Sequence, residues 1–361
     1  MMNKDALPAP TRKGRRIRRW LWRGFLSLAA FFIVVILVGV IYQAIATARD
    51  VQRFPPPGRM IDVGGYRLHL NCTGQGRPTI VLDAGLGESS LSWSRVQPEA
   101  AKFARVCSYD RAGYAWSDSG PAPRTSAQIV KELHTLLVNA GEQPPYVLAG
   151  HSFGGYNVRL FAAQYPDEVA GLVLVDSSHE DQFERMPPAF QPTWKIELLL
   201  RATPLLARTG LLRLLDQPMG NVKNYAPEAQ LQGRGTGFRS NAFDGALREY
   251  TSLMDSAAQV RAVKAPGGKL LLGDKPLTVL VQGDASKMPP QLSPQDIAAF
   301  TKVWRELQAD LATRSTNSTL IIAEKSSHFI LLDEPQLVTD ALRRTCTPQT
   351  TPTIKTVAAL K

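Results

Sequence analysis

A serine hydroxyl is a poor nucleophile unless a neighbouring base takes its proton. One serine of this chain sits in a context that would change that. The segment Tyr146-Val-Leu-Ala-Gly150-His151-Ser152-Phe153-Gly154-Gly155 carries G-x-S-x-G directly after an apolar run and directly before a helical pattern. A strand that turns abruptly into a helix strains the residue at the corner and exposes its side chain. Glycine at 150 and 154 removes side chains that would clash at such a corner. The helix then starts just behind Ser152, so its N-terminal N–H groups and dipole face developing negative charge. The bland alternative is a Gly-rich turn with an incidental serine. The strand before and the helix after favour the nucleophile.

The base must be one of five histidines. His69 lies within an early strand pattern and His134 on a helical one. His151 is beside the nucleophile, where its side chain should diverge from that of Ser152. His179 sits just past a strand that ends at Asp176. His328, in Ser326-Ser327-His328-Phe329, follows the last strand and precedes the final helix. Only His328 fits the chain order serine, acid, histidine at one edge of a sheet. A structural role is its alternative. The three cysteines, Cys72, Cys107 and Cys346, make neither a disulfide framework nor a metal motif. In an exported domain Cys72 and Cys107 could bridge, since both fall at the ends of predicted strands. Separate buried thiols are the simpler expectation. No metal or organic cofactor is implied.

The elements that must position these groups alternate along the chain. Short apolar runs at 61–63, 66–72, 79–83, 105–109, 146–149, 171–176, 277–282 and 320–324 read as eight strands. Several are apolar on both faces, as strands covered by helices must be. Helical spacing marks the stretch from Ser126 to a stop at Gly141, another from Gly155 to Pro166, and a third after Pro335. Such alternation predicts a doubly wound, mostly parallel sheet. About 100 residues separate the strand ending at Asp176 from the one at 277, too many for a loop in a compact domain. The interval reads as an inserted helical lid over about 183–270. Its leucines at 198–200, 205, 206, 211 and 212 suggest an apolar lining or contact with lipid, although helix packing on the core would use the same residues.

Ser108-Tyr-Asp110-Arg111-Ala-Gly113-Tyr-Ala115-Trp116-Ser117-Asp118 resembles the D-x-x-G-x-G-x-S-D turn of the lid-bearing branch of the α/β-hydrolase superfamily. Ala115-Trp116 stands where a second glycine is common. Asp83-Ala84-Gly85-Leu86 resembles the superfamily's HG-x oxyanion loop, with Ala84 in place of the histidine. The resemblance covers roughly residues 60–345 and implies an α/β-hydrolase domain over 61–346. It also implies an oxyanion hole made by the backbone N–H groups of Phe153 and Leu86. Such donors contribute a few kcal/mol to transition-state stability. The triad acid usually lies about three residues beyond the glycine after the strand at 277–282, and that position is Ser286. Asp284 is near but out of register. Other members place the acid at the end of the preceding strand, here Asp176. The acid fixes the histidine tautomer. Asp176 is favoured, with Asp284 the alternative and strand-end capping the ordinary role for either.

The formal charge of +11 is concentrated at one end, with a net +7 in residues 1–24 and only +4 beyond. That makes the basic excess a tail and not a nucleic-acid-binding stripe. Residues 1–23 read as a basic cytoplasmic tail. Residues 24–48 are uncharged and would span about 37 Å as a helix, enough for a hydrocarbon core of about 30 Å. Trp20, Trp22 and Tyr42 flank the run as interfacial aromatics do. Residues 49–60, with Pro55-Pro56-Pro57, form a stiff spacer, and residues 347–361 a loose tail. The alternative is a signal peptide cleaved after Ala46-Thr47-Ala48, releasing a secreted domain. The length of the apolar stretch favours the anchor.

The expectation is therefore a single-pass membrane serine hydrolase with its catalytic domain outside the cytoplasm. It would act on a small-molecule or lipid-like ester, thioester or amide through an acyl-enzyme on Ser152. Dehalogenase and epoxide-hydrolase members use an aspartate where this chain has serine. An acyltransferase with the same acyl-enzyme is one rival, to be separated by product analysis with competing alcohols. A catalytically silent ligand-binding domain is another.

Overall fold

The computed structural model describes residues 12–191, 193–263, 271–288, 291–347 and 355–358. The first half of the expected basic tail, the end of the expected insertion at 264–270 and most of the chain beyond 347 lie outside the described residues.

The chain opens with helix α1 (Arg12–Arg53), which extends beyond the uncharged run on both sides. Arginine is a good helix former, and no proline lies between Pro10 and Pro55. The expected spacer is therefore shorter than 49–60, because its first residues continue the helix and Arg59 already begins a strand. The part Arg18–Arg53 is long and apolar enough to cross a membrane by length and composition.

The domain that follows is built on one nine-stranded sheet. Its strands in chain order are β1 (Arg59–Asp62), β2 (Arg67–Thr73), β3 (Thr79–Asp83), β4 (Val106–Tyr109), β5 (Tyr146–His151), β6 (Val169–Val175), β7 (Leu277–Gln282), β8 (Ser318–Ala323) and β9 (Lys355–Ala358). Across the sheet they run β1-β2-β4-β3-β5-β6-β7-β8-β9. The β1–β2 and β2–β4 pairs are antiparallel and the rest parallel. The ninth strand falls in the stretch expected to be loose. The outer edge of β8 offers a row of backbone groups to pair, and Lys-Thr-Val-Ala is short and extended enough to take them.

Helices cover both faces. They are α2 (Gln97–Ala100), α3 (Ser126–Ala140), α4 (Gly154–Gln164), α5 (Gln182–Arg185), α6 (Trp194–Arg208), α7 (Leu211–Leu214), α8 (Pro227–Gly237), α9 (Ser240–Thr251), α10 (Leu253–Arg261), α11 (Pro294–Ala312), α12 (Ile330–Asp333) and α13 (Pro335–Cys346). Helix α3 starts on the Thr125 cap and stops at Gly141, whose φ of 77° is left-handed. One layer of core joins Ile129, Leu133, Leu136 and Phe161 to Val81 and Leu148. The other joins Ile80, Val147, Val173 and Leu280 to Val338 and Leu342. Alternate residues of each parallel strand feed opposite layers, which is why these strands read as continuous apolar runs. Helices α5–α10 all fall between β6 and β7.

Cys72 and Cys107 are direct partners in the β2–β4 ladder, and their sulfurs are bonded. This corrects the expectation of separate thiols. Period-two spacing could show that each cysteine closes a strand, but only the pairing register puts them opposite each other. Cys346 is free.

Candidate active site

Three strand ends on one side of the sheet deliver the candidate groups. Ser152 is the residue after β5, Asp176 the residue after β6, and His328 stands in the loop after β8. At Ser152 the backbone takes φ +49°, a left-handed value that a non-glycine residue holds at a cost of about 1–3 kcal/mol. The corner is held by Ser152 N–H donating to the Val175 carbonyl at 3.2 Å. The Ser152 carbonyl in turn accepts from Gly155 N–H and Ser178 N–H, each at 2.9 Å. A Cβ on Gly150 would come within 2.6 Å of the Gly154 oxygen, and one on Gly154 within 2.5 Å of the Asp83 oxygen. Both glycines are required by close approach of backbone.

All five histidines face a carboxylate, so pairing alone does not single one out. His69 meets Asp110, His134 meets Glu168, His151 meets Glu88, His179 meets Asp310 and His328 meets Asp176. His328 differs in its surroundings. It lines a cavity of about 310 Å³ together with Ser152, Met186, Phe190, Phe300 and Trp304. Its Nδ1 lies 2.6 Å from Asp176 Oδ2. That leaves Nε2 as the ring nitrogen available to the cavity.

Asp176 is fully buried. Its other oxygen, Oδ1, accepts from Gln282 N–H at 2.9 Å and from the Trp304 indole at 2.8 Å. The strand bearing His328 is not adjacent to β6, since β7 lies between. The carboxylate reaches across the end of β7, and the loop after β8 folds back over it. Gly283 and Asp284 N–H both donate to the Ser326 carbonyl. Asp284 is turned elsewhere. Its Oδ1 accepts from the Ser286 hydroxyl at 2.6 Å and the Ser286 N–H at 3.0 Å, bonds that hold its exposed carboxyl below the usual range.

The two candidate oxyanion donors are distinguished from their neighbours by what they do not bond. Around Leu86, Gly85 N–H donates to Glu88, Gly87 N–H to the Tyr114 hydroxyl, and Glu88 N–H to the Gly85 carbonyl. Among the described residues, neither Leu86 N–H nor Phe153 N–H has a hydrogen-bond acceptor in the protein. Buried backbone donors are nearly always paired, so two free ones on either side of the Gly154 contact are available to a ligand.

Residues to which the sequence assigned no role in the site organise this loop. Arg111 donates to the carbonyls of Ala84 at 2.6 Å and Gly85 at 2.8 Å, and its charge is matched by Asp83 and by Glu249 of α9. The His151 ring is sandwiched between two acceptors. Nδ1 is 3.0 Å from Glu88 Oε2, and Nε2 is 2.9 Å from the His328 carbonyl. Both nitrogens must carry hydrogen, which makes the ring an imidazolium. Burial is the largest single effect and works against charge on both partners, yet the opposite charge and the hydrogen bonds together outweigh it. His151 therefore titrates above its ordinary range and Glu88 below. The one signal in the sequence was an acid, Glu88, two residues beyond the expected oxyanion donor.

Residues 78–210 match a family model described as alpha/beta hydrolase fold. An AB hydrolase superfamily protein from Gibberella zeae is 26% identical over 291 residues, covering 74% of this chain and 86% of its own length. Among solved structures, an esterase from Thermogutta terrifontis aligns with a TM-score of 0.54 at 20% identity, covering 80% of this chain and 98% of the esterase. A putative epoxide hydrolase from Pseudomonas aeruginosa aligns with a TM-score of 0.57 at 21% identity, covering 79% and 94%. At these identities the likeness to the solved structures is one of fold.

Proposed function

We propose, from the match of residues 78–210 to the alpha/beta hydrolase family model and from the site's geometry, that the chain is an α/β-hydrolase superfamily serine hydrolase working through an acyl-enzyme on Ser152. The observation that carries the reading is the 2.6 Å contact of His328 with Asp176 beside a cavity that Ser152 also lines. In this reading Ser152 Oγ attacks the acyl carbonyl carbon of an ester, thioester or amide. His328 Nε2 takes the hydroxyl proton while Asp176 steadies the resulting imidazolium. The tetrahedral oxyanion is received by the N–H groups of Phe153 and Leu86. Collapse expels the leaving group, which receives the proton from His328. Water then repeats the sequence and frees the acid. The steps draw on no metal or organic cofactor.

We further propose that α1 anchors the protein with its N-terminus cytoplasmic and the catalytic domain outside. Two features support this. The basic residues precede the apolar stretch, as the positive-inside rule requires of a cytoplasmic flank. The Cys72–Cys107 bridge suits an oxidising compartment.

A fluorophosphonate probe tests the mechanism. The wild type should be labelled, and Ser152→Ala should lose both labelling and ester hydrolysis with its melting temperature essentially unchanged. Full labelling of the alanine variant would move the nucleophile elsewhere.

A further inference from the structure

Helix α1 has two kinds of surroundings. From Trp20 to Val38 its large apolar side chains are exposed. From Gly39 onward one side of it also contacts the helices inserted between β6 and β7, while Val40, Ile41 and Ile45 on its other side stay exposed. A Cβ on Gly39 would meet the Thr209 oxygen at 2.3 Å, and one on Gly210 would meet the Tyr42 ring at 3.1 Å. Buried Gln43 donates to the Phe238 carbonyl at 2.7 Å and accepts from Arg213 at 3.0 Å. Arg213 also pairs with Asp50 at 2.8 Å. The stretch of α1 left for lipid, residues 20–38, is about 28 Å long, close to the thickness of a hydrocarbon core. The outer membrane boundary then falls near residues 39–43, at the level of the α6–α7 turn.

That turn carries an uncovered apolar face. Trp194, Leu198 and Leu205 share one side of α6 by helical spacing and are 70%, 60% and 62% exposed, and Leu214 on α7 is 68% exposed. The Lys195 ammonium lies 5.8 Å from the Trp194 ring. Tryptophan, lysine and leucine on one helix suit the boundary between headgroups and acyl chains. Helix α6 also follows directly on the segment holding Phe183, Met186 and Phe190, which line the cavity beside Ser152.

We propose that the exposed face of α6 and α7 rests in the outer lipid interface beside α1, and that the cavity receives its acyl substrate from that interface. The docking rests on the anchor reading and the substrate class on the serine-hydrolase reading. A protein held this way needs no free diffusion of a sparingly soluble acyl chain through water. The chain would pass from the bilayer along apolar side chains to the serine.

The full-length protein, in a Cys346→Ser background, is reconstituted into phosphatidylcholine–phosphatidylglycerol vesicles with a polarity-sensitive fluorophore at one engineered cysteine. Leu205→Cys and Leu214→Cys test the face. Leu28→Cys reports the anchor, and Gln75→Cys reports the opposite edge of the sheet before β3. The expected result is quenching at 205 and 214 by lipids spin-labelled near the headgroup, quenching at 28 by lipids labelled deep in the chain, and none at 75. Quenching at 28 with none at 205 and 214 would overturn the docking while leaving the anchor. No quenching at 28 would remove the anchor and the docking with it. The Leu205→Gln, Leu214→Gln double variant should hydrolyse a water-soluble short-chain ester as the wild type does. It should lose about tenfold or more against a long-chain acyl ester presented in vesicles, since each leucine withdrawn from lipid weakens partitioning by roughly that factor. Equal activity on both substrates would refute delivery from the membrane. Failure of the wild type on the soluble ester would instead sink the hydrolase reading and leave the quenching result standing.

Discussion

At the scale of single residues, the site turns on which carboxylate holds the imidazole. Asp176 is buried, bonded to His328, and fixed by two further donors, Gln282 N–H and the Trp304 indole. Asp284 spends its acceptor on Ser286. An asparagine at 176 would present an amide to His328 Nδ1 and favour the tautomer whose Nε2 cannot accept the serine proton. Asp176→Asn should therefore lower kcat by about ten-thousandfold, the loss that misorientation causes in a serine protease triad. Asp284→Asn should stay within a few-fold of wild type. Steady-state kinetics on one ester decides between them, and a severe loss confined to the residue 284 variant would show that the acid has been misassigned.

At the scale of elements, one buried ion pair links three loops. Glu88 accepts from the Gly85 N–H, and His151, the residue before Ser152, donates to the His328 carbonyl. Glu88→Gln would leave His151 without its counter-charge, at a cost of about 3 kcal/mol. The pH dependence follows from the two shifts. His151 is raised, so its stabilisation is complete below an ordinary histidine value and fades as pH climbs through the raised one. Glu88 is lowered, so its share is complete above an ordinary glutamate value. The stability gap between wild type and Glu88→Gln should thus be widest near pH 5–6 and narrow toward pH 9, as urea unfolding at the two pH values would read. A gap independent of pH would mean that the pair is not charged.

At the scale of the whole molecule, the disulfide and the proposed anchor bear together on compartment. The bridge closes a loop with a sequence separation of 35, worth about 4 kcal/mol through restriction of the unfolded chain. Reduction should lower unfolding stability by up to that amount and leave the Cys72→Ser, Cys107→Ser double variant unaffected by reductant. Protease added to intact cells should digest the catalytic domain while a tag ahead of residue 12 survives. The reverse pattern of protection would place the domain in the cytoplasm and make the bridge an anomaly.

What the sequence determined by itself was local. The elbow at Ser152 arises within six consecutive residues, where a strand, two glycines and a helix start leave few backbone solutions. The parallel strands were legible because burial on both faces demands continuous apolar runs. The uncharged run of α1 was legible because its length alone meets the thickness of a membrane. Only the tertiary structure could decide the rest, because it depends on neighbours far apart in the chain. Pairing register set Cys72 against Cys107, and an open edge of β8 recruited β9 from a stretch with no core-facing pattern. Which aspartate meets His328 depended on a carboxylate reaching across β7 and on Trp304 from α11 fixing its far oxygen. The pairing of Glu88 with His151 was not legible, because the motif does not specify its variable position at 151 and Glu88 lies 63 residues away in the chain. The pair holds its charge against the cost of burial only because the two groups meet at 3.0 Å and are further hydrogen-bonded, a proximity set by the fold.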